Sequence, residues 1–155
     1  MITKIGCEVD DIDRQLMRAL LDDARTSWAD LARRVGLSAP AVQDRVRKLE
    51  REGVLRGTTA RVAPGGVGLG VSALVGLHQR EGVDAEDIVE GLRQVPEIED
   101  CWFVAGDEAF VVKLRVADLD DLDRTLRVLR HVPGVTRTRT TVVLSTPFEG
   151  RARVP

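Results

Sequence analysis

Apolar residues recur at helical spacing over the first fifty positions of the chain and at every second position over much of the remainder. The first helical pattern opens at Asp10. Asp10 is a good cap, and Asp11 and Asp13 suit the positive end of a helix dipole. Ile12, Leu16, Ala19 and Leu20 then share one face. The second pattern opens with "SWAD", where Ser27 and Asp30 form a variant of the capping box. Ala29, Leu31, Ala32 and Val35 follow, with small residues at 29 and 32 that would admit a neighbouring helix closely. Gly36 is placed to end this helix in a left-handed conformation. The third pattern starts at Ser38, an N-cap, with Pro40 in the first turn, where its missing N–H does no harm. Val42, Val46 and Leu49 form its apolar stripe, and Gly53 stops it. "VLRGTTARV" then reads as a strand pair or wing.

The second and third helices are separated by "GLS" alone, which is the grammar of a helix-turn-helix, with Leu37 plugging the core between the helices. Such a unit presents its third helix to the major groove of duplex DNA, N-terminal residues first. Gln43 and Arg47 are the best candidates to read bases. Ser27, Ser38, Ala39, Pro40 and Asp44 lie where the DNA would approach. Lys48, Arg51, Arg56 and Arg61 suit phosphates. Arg45 has two readings: it reaches DNA, or it folds back onto Asp30 or another acid. Trp28 reads as a packing residue, with a phosphate contact as the alternative. The alternative for the whole region is a plain three-helix packing unit with a solvated basic face.

After "APGG" at 63–66 the apolar rhythm changes to period two. "VSALVGLHQ" places Val71, Ala73, Val75 and Leu77 on one side. A helix over "DAEDIVEGLRQV" buries Ile88, Leu92 and Val95. "IEDCWFVA" is a strand, and "FVVKLRV" is a second with Phe110, Val112, Leu114 and Val116 aligned. "LDDLDRTLRVLRHV" is a helix with Leu119, Leu122, Leu126 and Leu129 on its stripe, and "VTRTRTTVVLST" is the last strand. The order is β-α-β-β-α-β. "LRQVPEI" at 92–98 echoes "LRHVPGV" at 129–135, as two duplicated αβ units would. A ferredoxin-like sheet of this kind carries helices on one face only. Its other face holds Leu74, Ser72 and His78, with Val111, Lys113 and Arg115, a mixture suited to a second copy of the same sheet. A homodimer built through this domain is expected.

Charge sharpens the picture. The 155-residue chain has net charge −2, which argues against a generic nucleic-acid binder. Residues 33–61 nevertheless hold 8 basic residues against 3 acidic ones. One short basic region therefore sits on an acidic protein. No run of about 18 apolar residues exists, so no membrane helix is expected. The N-terminus lacks the apolar core of a signal peptide. Cys7 and Cys101 show no metal-ligand spacing and read as reduced thiols of a cytoplasmic protein, a Cys7–Cys101 disulfide being the less favoured alternative.

The remaining chemistry gathers at "VAGDEAF", residues 104–110. Gly106-Asp107-Glu108 reads either as a hairpin turn with solvated carboxylates or as part of a pocket. A backbone N–H at Gly106 can approach a carboxylate closely, and Asp107 or Glu108 can meet an ammonium. A catalytic pair is a poor reading, since nothing nearby supplies a nucleophile. No catalytic residue, cofactor or metal site is expected. His78 and His131 read as surface or packing residues. The run Asp118, Asp120, Asp121, Asp123 compensates a helix dipole and lacks the glycine and glutamate of a calcium loop. Thr136, Thr138 and Thr140 are good strand residues, and one of them is a candidate ligand contact. The tail "TPFEGRARVP" either packs on a partner subunit or frays.

In the combination of "VDDIDRQLMRAL", "DARTSWADLARRVGLSAPAVQDRVRKLEREGVL", "VAGDEAF" and "VPGVTRTRTTVVLS", the chain resembles the Lrp/AsnC, or feast/famine, family of bacterial regulators. The resemblance implies an α+β chain with an N-terminal winged helix-turn-helix and a C-terminal ferredoxin-like βαββαβ regulatory domain of the RAM type. The expected divisions are residues 1–53 for DNA binding, 54–69 for wing and linker, 70–146 for dimerisation and effector binding, and 147–155 for the tail. It further implies double-stranded DNA as partner, homodimers assembling to an octamer, and an amino acid or related metabolite as effector. Val104, Ala105, Gly106, Asp107, Glu108 and Ala109 are then the effector loop. Two other functions stay open: a small enzyme on the ferredoxin-like fold with a helical interaction module, and a DNA architectural protein without effector, which the alanine at 109 favours.

Overall fold

The computed structural model describes residues 8–155, so Cys7 lies outside the described residues. The chain divides into two compact units: a helical unit running to Ala60 and including Phe148–Pro155, and a sheet unit over Arg61–Pro147.

In the helical unit, α1 spans Asp11–Asp22, α2 Trp28–Val35 and α3 Ala39–Arg51. Each begins where a side-chain oxygen is available for the unpaired amides of the first turn. Asp10 accepts from the Asp13 N–H at 2.8 Å, and Asp13 accepts in return from the Asp10 N–H at 3.2 Å. Ser27 accepts from the Asp30 N–H at 3.1 Å, and Ser38 from the Ala41 N–H at 3.4 Å. Gly36 closes α2 in the left-handed region at φ 70°. Leu16, Ala19, Leu31, Ala32, Val42 and Val46 form the core, and Leu37 packs against it from the turn. Ala29 is exposed, so only Ala32 of the two small residues admits a neighbouring helix.

The segment expected to form a strand pair after α3 contains no strand. Its first residues serve the helix instead: the Val54 and Leu55 N–H groups both donate to the Leu49 carbonyl, at 2.9 and 3.1 Å. Leu55 joins the helical core. The wing is therefore an irregular segment, followed by a 3-10 turn at Pro64–Val67. The C-terminal tail belongs to the helical unit of its own chain, where Arg18 donates to the Val154 carbonyl at 3.5 Å. Arg151 lies 4.7 Å from the centre of the Phe148 ring.

In the sheet unit, β1 (Val71–Gln79), α4 (Ala85–Arg93), β2 (Ile98–Phe103), β3 (Phe110–Val116), α5 (Leu119–His131) and β4 (Val135–Val143) follow the expected order. The sheet is antiparallel in the order β2-β3-β1-β4, the ferredoxin-like arrangement. Ala73, Val75, Leu77, Phe110, Val112 and Leu114 point to the helices, where Ile88, Leu92, Leu122 and Leu129 meet them. Each of these residues is at most 5% exposed. Leu119 departs from the expected stripe and is 64% exposed. It is the first residue of α5, immediately after the Asp118 cap, so the buried face begins one turn later at Leu122.

On the other sheet face, Lys113 and Arg115 are not free charges on a mixed surface. Glu99 of β2 binds Arg115 through two contacts at 3.1 and 3.2 Å and Lys113 at 2.5 Å. Burial opposes ionisation of Glu99, but the hydrogen bonds from Arg115 and Lys113 outweigh it and hold the carboxyl below its ordinary value. Leu74 and Trp102 remain exposed beside this network.

Candidate functional site

The outer face of α3 carries the first candidate site. Gln43, Asp44, Arg47, Lys48 and Arg51 succeed one another at helical spacing on the side away from Val42, Val46 and Leu49. Ser38, Pro40, Asp44, Arg47, Lys48 and Arg51 are exposed, as are Ser27 before α2 and Arg56 beyond α3, whereas Ala39 and Gln43 are half-buried. Among the described residues, Arg47, Lys48, Arg51 and Arg56 have no ion pair or side-chain hydrogen bond. A cluster of unneutralised cations on one helix face is the footprint of a polyanion.

Arg45 does not belong to that face. Its guanidinium donates to Asp10 at 2.7 Å and to Asp13 at 2.9 Å. The fold-back reading holds, with the acids of α1 in place of Asp30. Asp30 is already engaged by Ser27 at 2.7 Å and by Arg33. The signal was present in the spacing: Arg45 is three residues after Val42 and four before Leu49, so it borders the buried stripe. The Asp13 N–H and then Arg45 hold the Asp10 carboxyl below its ordinary value. The same two carboxylates raise the pKa of Arg45 further.

The second candidate lies in the sheet unit. Residues 104–109 join β2 to β3 and, with Phe103 at the end of β2 and His78 and Gln79 at the end of β1, line an open depression of about 600 Å³. The Ala109 N–H donates to the Leu77 carbonyl and the Val104 N–H to the Ala109 carbonyl, both at 2.9 Å, which pins the loop to β1. Asp107 and Glu108 diverge, and each meets an arginine of β4. Arg137 donates to Asp107 at 3.2 Å, and Arg139 stands 3.4 Å from Glu108. Arg137 also reaches His78 Nε2 at 3.0 Å. A guanidinium has only donors, so that nitrogen carries the lone pair. Glu108 crosses β1 at Gly76, where an added Cβ would stand 2.6 Å from its Cγ. At Gly106 an added Cβ would meet nothing within 4 Å, so no neighbour in the protomer requires a glycine there.

Sequence reasoning missed Arg137 and Arg139 and looked to Thr136, Thr138 and Thr140, which alternate with them. Thr138 and Thr140 pair with Leu77 and Val75 and therefore face the helices, while the Thr136 hydroxyl donates to the His78 carbonyl at 3.1 Å. The alternation of β4 contained the signal, since Arg137 and Arg139 must point opposite to Thr138. The acidic run at α5 is accounted for by capping and by pairing: Asp118 accepts from the Asp121 N–H at 2.8 Å, and Asp121 and Asp123 pair with Arg124 and Arg127.

A helix-turn-helix with an unneutralised cationic face, joined in one chain to a ferredoxin-like unit with a loop-lined depression, defines a ligand-responsive class of DNA-binding regulator. The chain belongs to the Lrp/AsnC family of transcriptional regulators: the AsnC-type helix-turn-helix domain matches residues 9–50 and the Lrp/AsnC ligand binding domain residues 71–153. It is 41% identical to the HTH-type transcriptional regulator LrpA of Mycobacterium tuberculosis, over 95% of this chain and 97% of that one. It is 35% identical to the leucine-responsive regulatory protein of Escherichia coli K12, over 90% of this chain and 87% of that one. The crystal structure of a feast or famine regulatory protein of M. tuberculosis complexed with L-methionine superposes with a TM-score of 0.89 at 40% identity. That match covers 96% of this chain and all of the other.

Proposed function

We propose that this regulator reads a specific operator through the outer face of α3 and that a free amino acid bound at the loop of residues 104–109 modulates its DNA affinity or assembly. The free cations of that face, Arg47, Lys48 and Arg51, with Arg56 just beyond, carry the reading. In this reading Gln43 and Arg47 contact base edges, Ser27, Lys48, Arg51 and Arg56 contact phosphates, and Ser38, Ala39 and Pro40 set the approach of the helix. Arg45 holds α3 against α1 and is left out of the contact set. Homodimers form through the open sheet face, where Leu74 and Trp102 are exposed, and assemble further to an octamer. The protein acts in the cytoplasm and is not an enzyme; the pairing of both loop carboxylates with arginines supports the second of these.

The test begins by selecting bound duplexes from a random library. Affinity for the selected site is then measured against salt, with and without each of the twenty amino acids. A single enriched motif, a steep salt dependence and a shift with one or a few amino acids are expected. Selection without enrichment overturns the operator reading.

A second reading, an architectural DNA protein without effector, is favoured by one observation: the internal pairs already satisfy the groups that an amino acid would use. Calorimetry separates the two, since heat on adding any amino acid excludes it.

A further inference from the structure

The two ion pairs of the loop differ in kind. Glu108 is held: its side chain is 20% exposed and lies across Gly76. Asp107 is not held. Its side chain is 77% exposed, and that of its partner Arg137 is 65% exposed. An ion pair in water at the surface is weak and exchanges readily. One end of this weak pair is nevertheless fixed in place. Arg137 sits opposite His78 in the β1–β4 register, and the His78 side chain, only 13% exposed, accepts from its guanidinium. The other end, Asp107, sits on the loop that lines the depression. The pair is thus a cation anchored to the sheet facing an anion carried by the loop.

Such a pair can open only for a ligand that satisfies both halves. A plain anion would leave Asp107 without its cation, and a plain cation would leave Arg137 without its anion. A zwitterion replaces one internal pair by two external ones at unchanged net charge. We propose that Arg137 is the specificity-determining group of the loop site: a free α-amino acid inserts between Arg137 and Asp107, its carboxylate on Arg137 and its ammonium on Asp107. The ligand side chain then lies along Phe103, Val104 and Ala105. This inference rests on the effector reading above and adds the requirement that both charges of the ligand be present.

Calorimetry on the full chain tests it. The tightest of the twenty amino acids is compared with its own amide, which lacks the carboxylate, and with its des-amino acid, which lacks the ammonium. Wild type is expected to bind the zwitterion at least about tenfold more tightly than either analogue, since a site built for a polar group discriminates against its absence. Arg137→Gln should weaken the zwitterion at least about tenfold and leave the amide unchanged, and Arg137→Lys should recover part of the loss. A melting curve on each variant shows that it is folded, and Arg137 tolerates change by its exposure. If wild type binds an amino acid but Arg137→Gln binds it equally, or the amide binds as tightly, this inference fails and the effector reading stands. If wild type binds none of the twenty, both fail.

Discussion

Arg45 of α3 donates to Asp13 of α1 at 2.9 Å across 32 residues of sequence, and Asp13 is 5% exposed. The interaction fixes the third helix against the first, and it separates the cations of α3 into one that builds the scaffold and others that face outward.

That separation predicts opposite phenotypes for two arginines one half-turn apart. Arg45→Ala leaves the buried Asp13 without its cation and should destabilise the helical unit by about 1–3 kcal/mol, read by urea denaturation. Arg47→Ala should leave the denaturation midpoint unchanged and cost about 1–3 kcal/mol of discrimination at one base pair, read by competition between operator variants.

Arg56→Ala should weaken every duplex alike, because an arginine on a phosphate carries no sequence information. The log–log salt slope should become shallower by about 0.9, because one phosphate fewer is neutralised and one counterion fewer is released. A slope unchanged from wild type places Arg56 away from the DNA.

Acid should act on both units through carboxylates whose pKa is depressed in the fold. Asp10 is held below 3.8 by the Asp13 N–H and by Arg45. Glu99 is held below 4.5 because burial, which opposes its ionisation, is outweighed by Arg115 and Lys113. A depressed carboxylate contributes stability that is present above its unfolded value and is lost as pH falls through its folded value. Stability should therefore drop below about pH 4.5. Asp10→Asn should flatten that acid limb for the helical unit, and Glu99→Gln should do so for the sheet unit. Melting followed at stepped pH, with a probe in each unit, checks this.

Gly76→Ala should be destabilising by about 1–3 kcal/mol, since its Cβ would stand 2.6 Å from the Glu108 Cγ and force that side chain off the strand. Glu108→Ala should relieve most of the cost. A double-mutant cycle measures the coupling, and additive effects would show that Glu108 does not lie over Gly76.

Much of this molecule is legible from local pattern. Asp10, Ser27, Ser38 and Asp118 cap their helices because short polar side chains satisfy first-turn amides, a chemistry confined to three or four neighbouring residues. Period-two and helical spacing identify the stripes that become the two cores, and the echo of Val-Pro identifies the duplicated αβ unit. The wing departs from its strand-like pattern because the amides of Val54 and Leu55 find an acceptor in the helix just ended, which strand propensity alone does not show.

The sequence by itself thus determined the five α-helices and four sheet strands of the described residues, their order, most of the buried face of each helix, and the basic outer face of α3, because these follow from spacing and from interactions within a few residues. Only the tertiary structure decided which charges meet. The pairing of Arg45 with Asp10 and Asp13, of Arg137 with Asp107 and of Glu108 across Gly76 joins residues far apart in the chain. Such partners are chosen by helix packing and strand register, since an ion pair forms where the fold has already brought its members within reach.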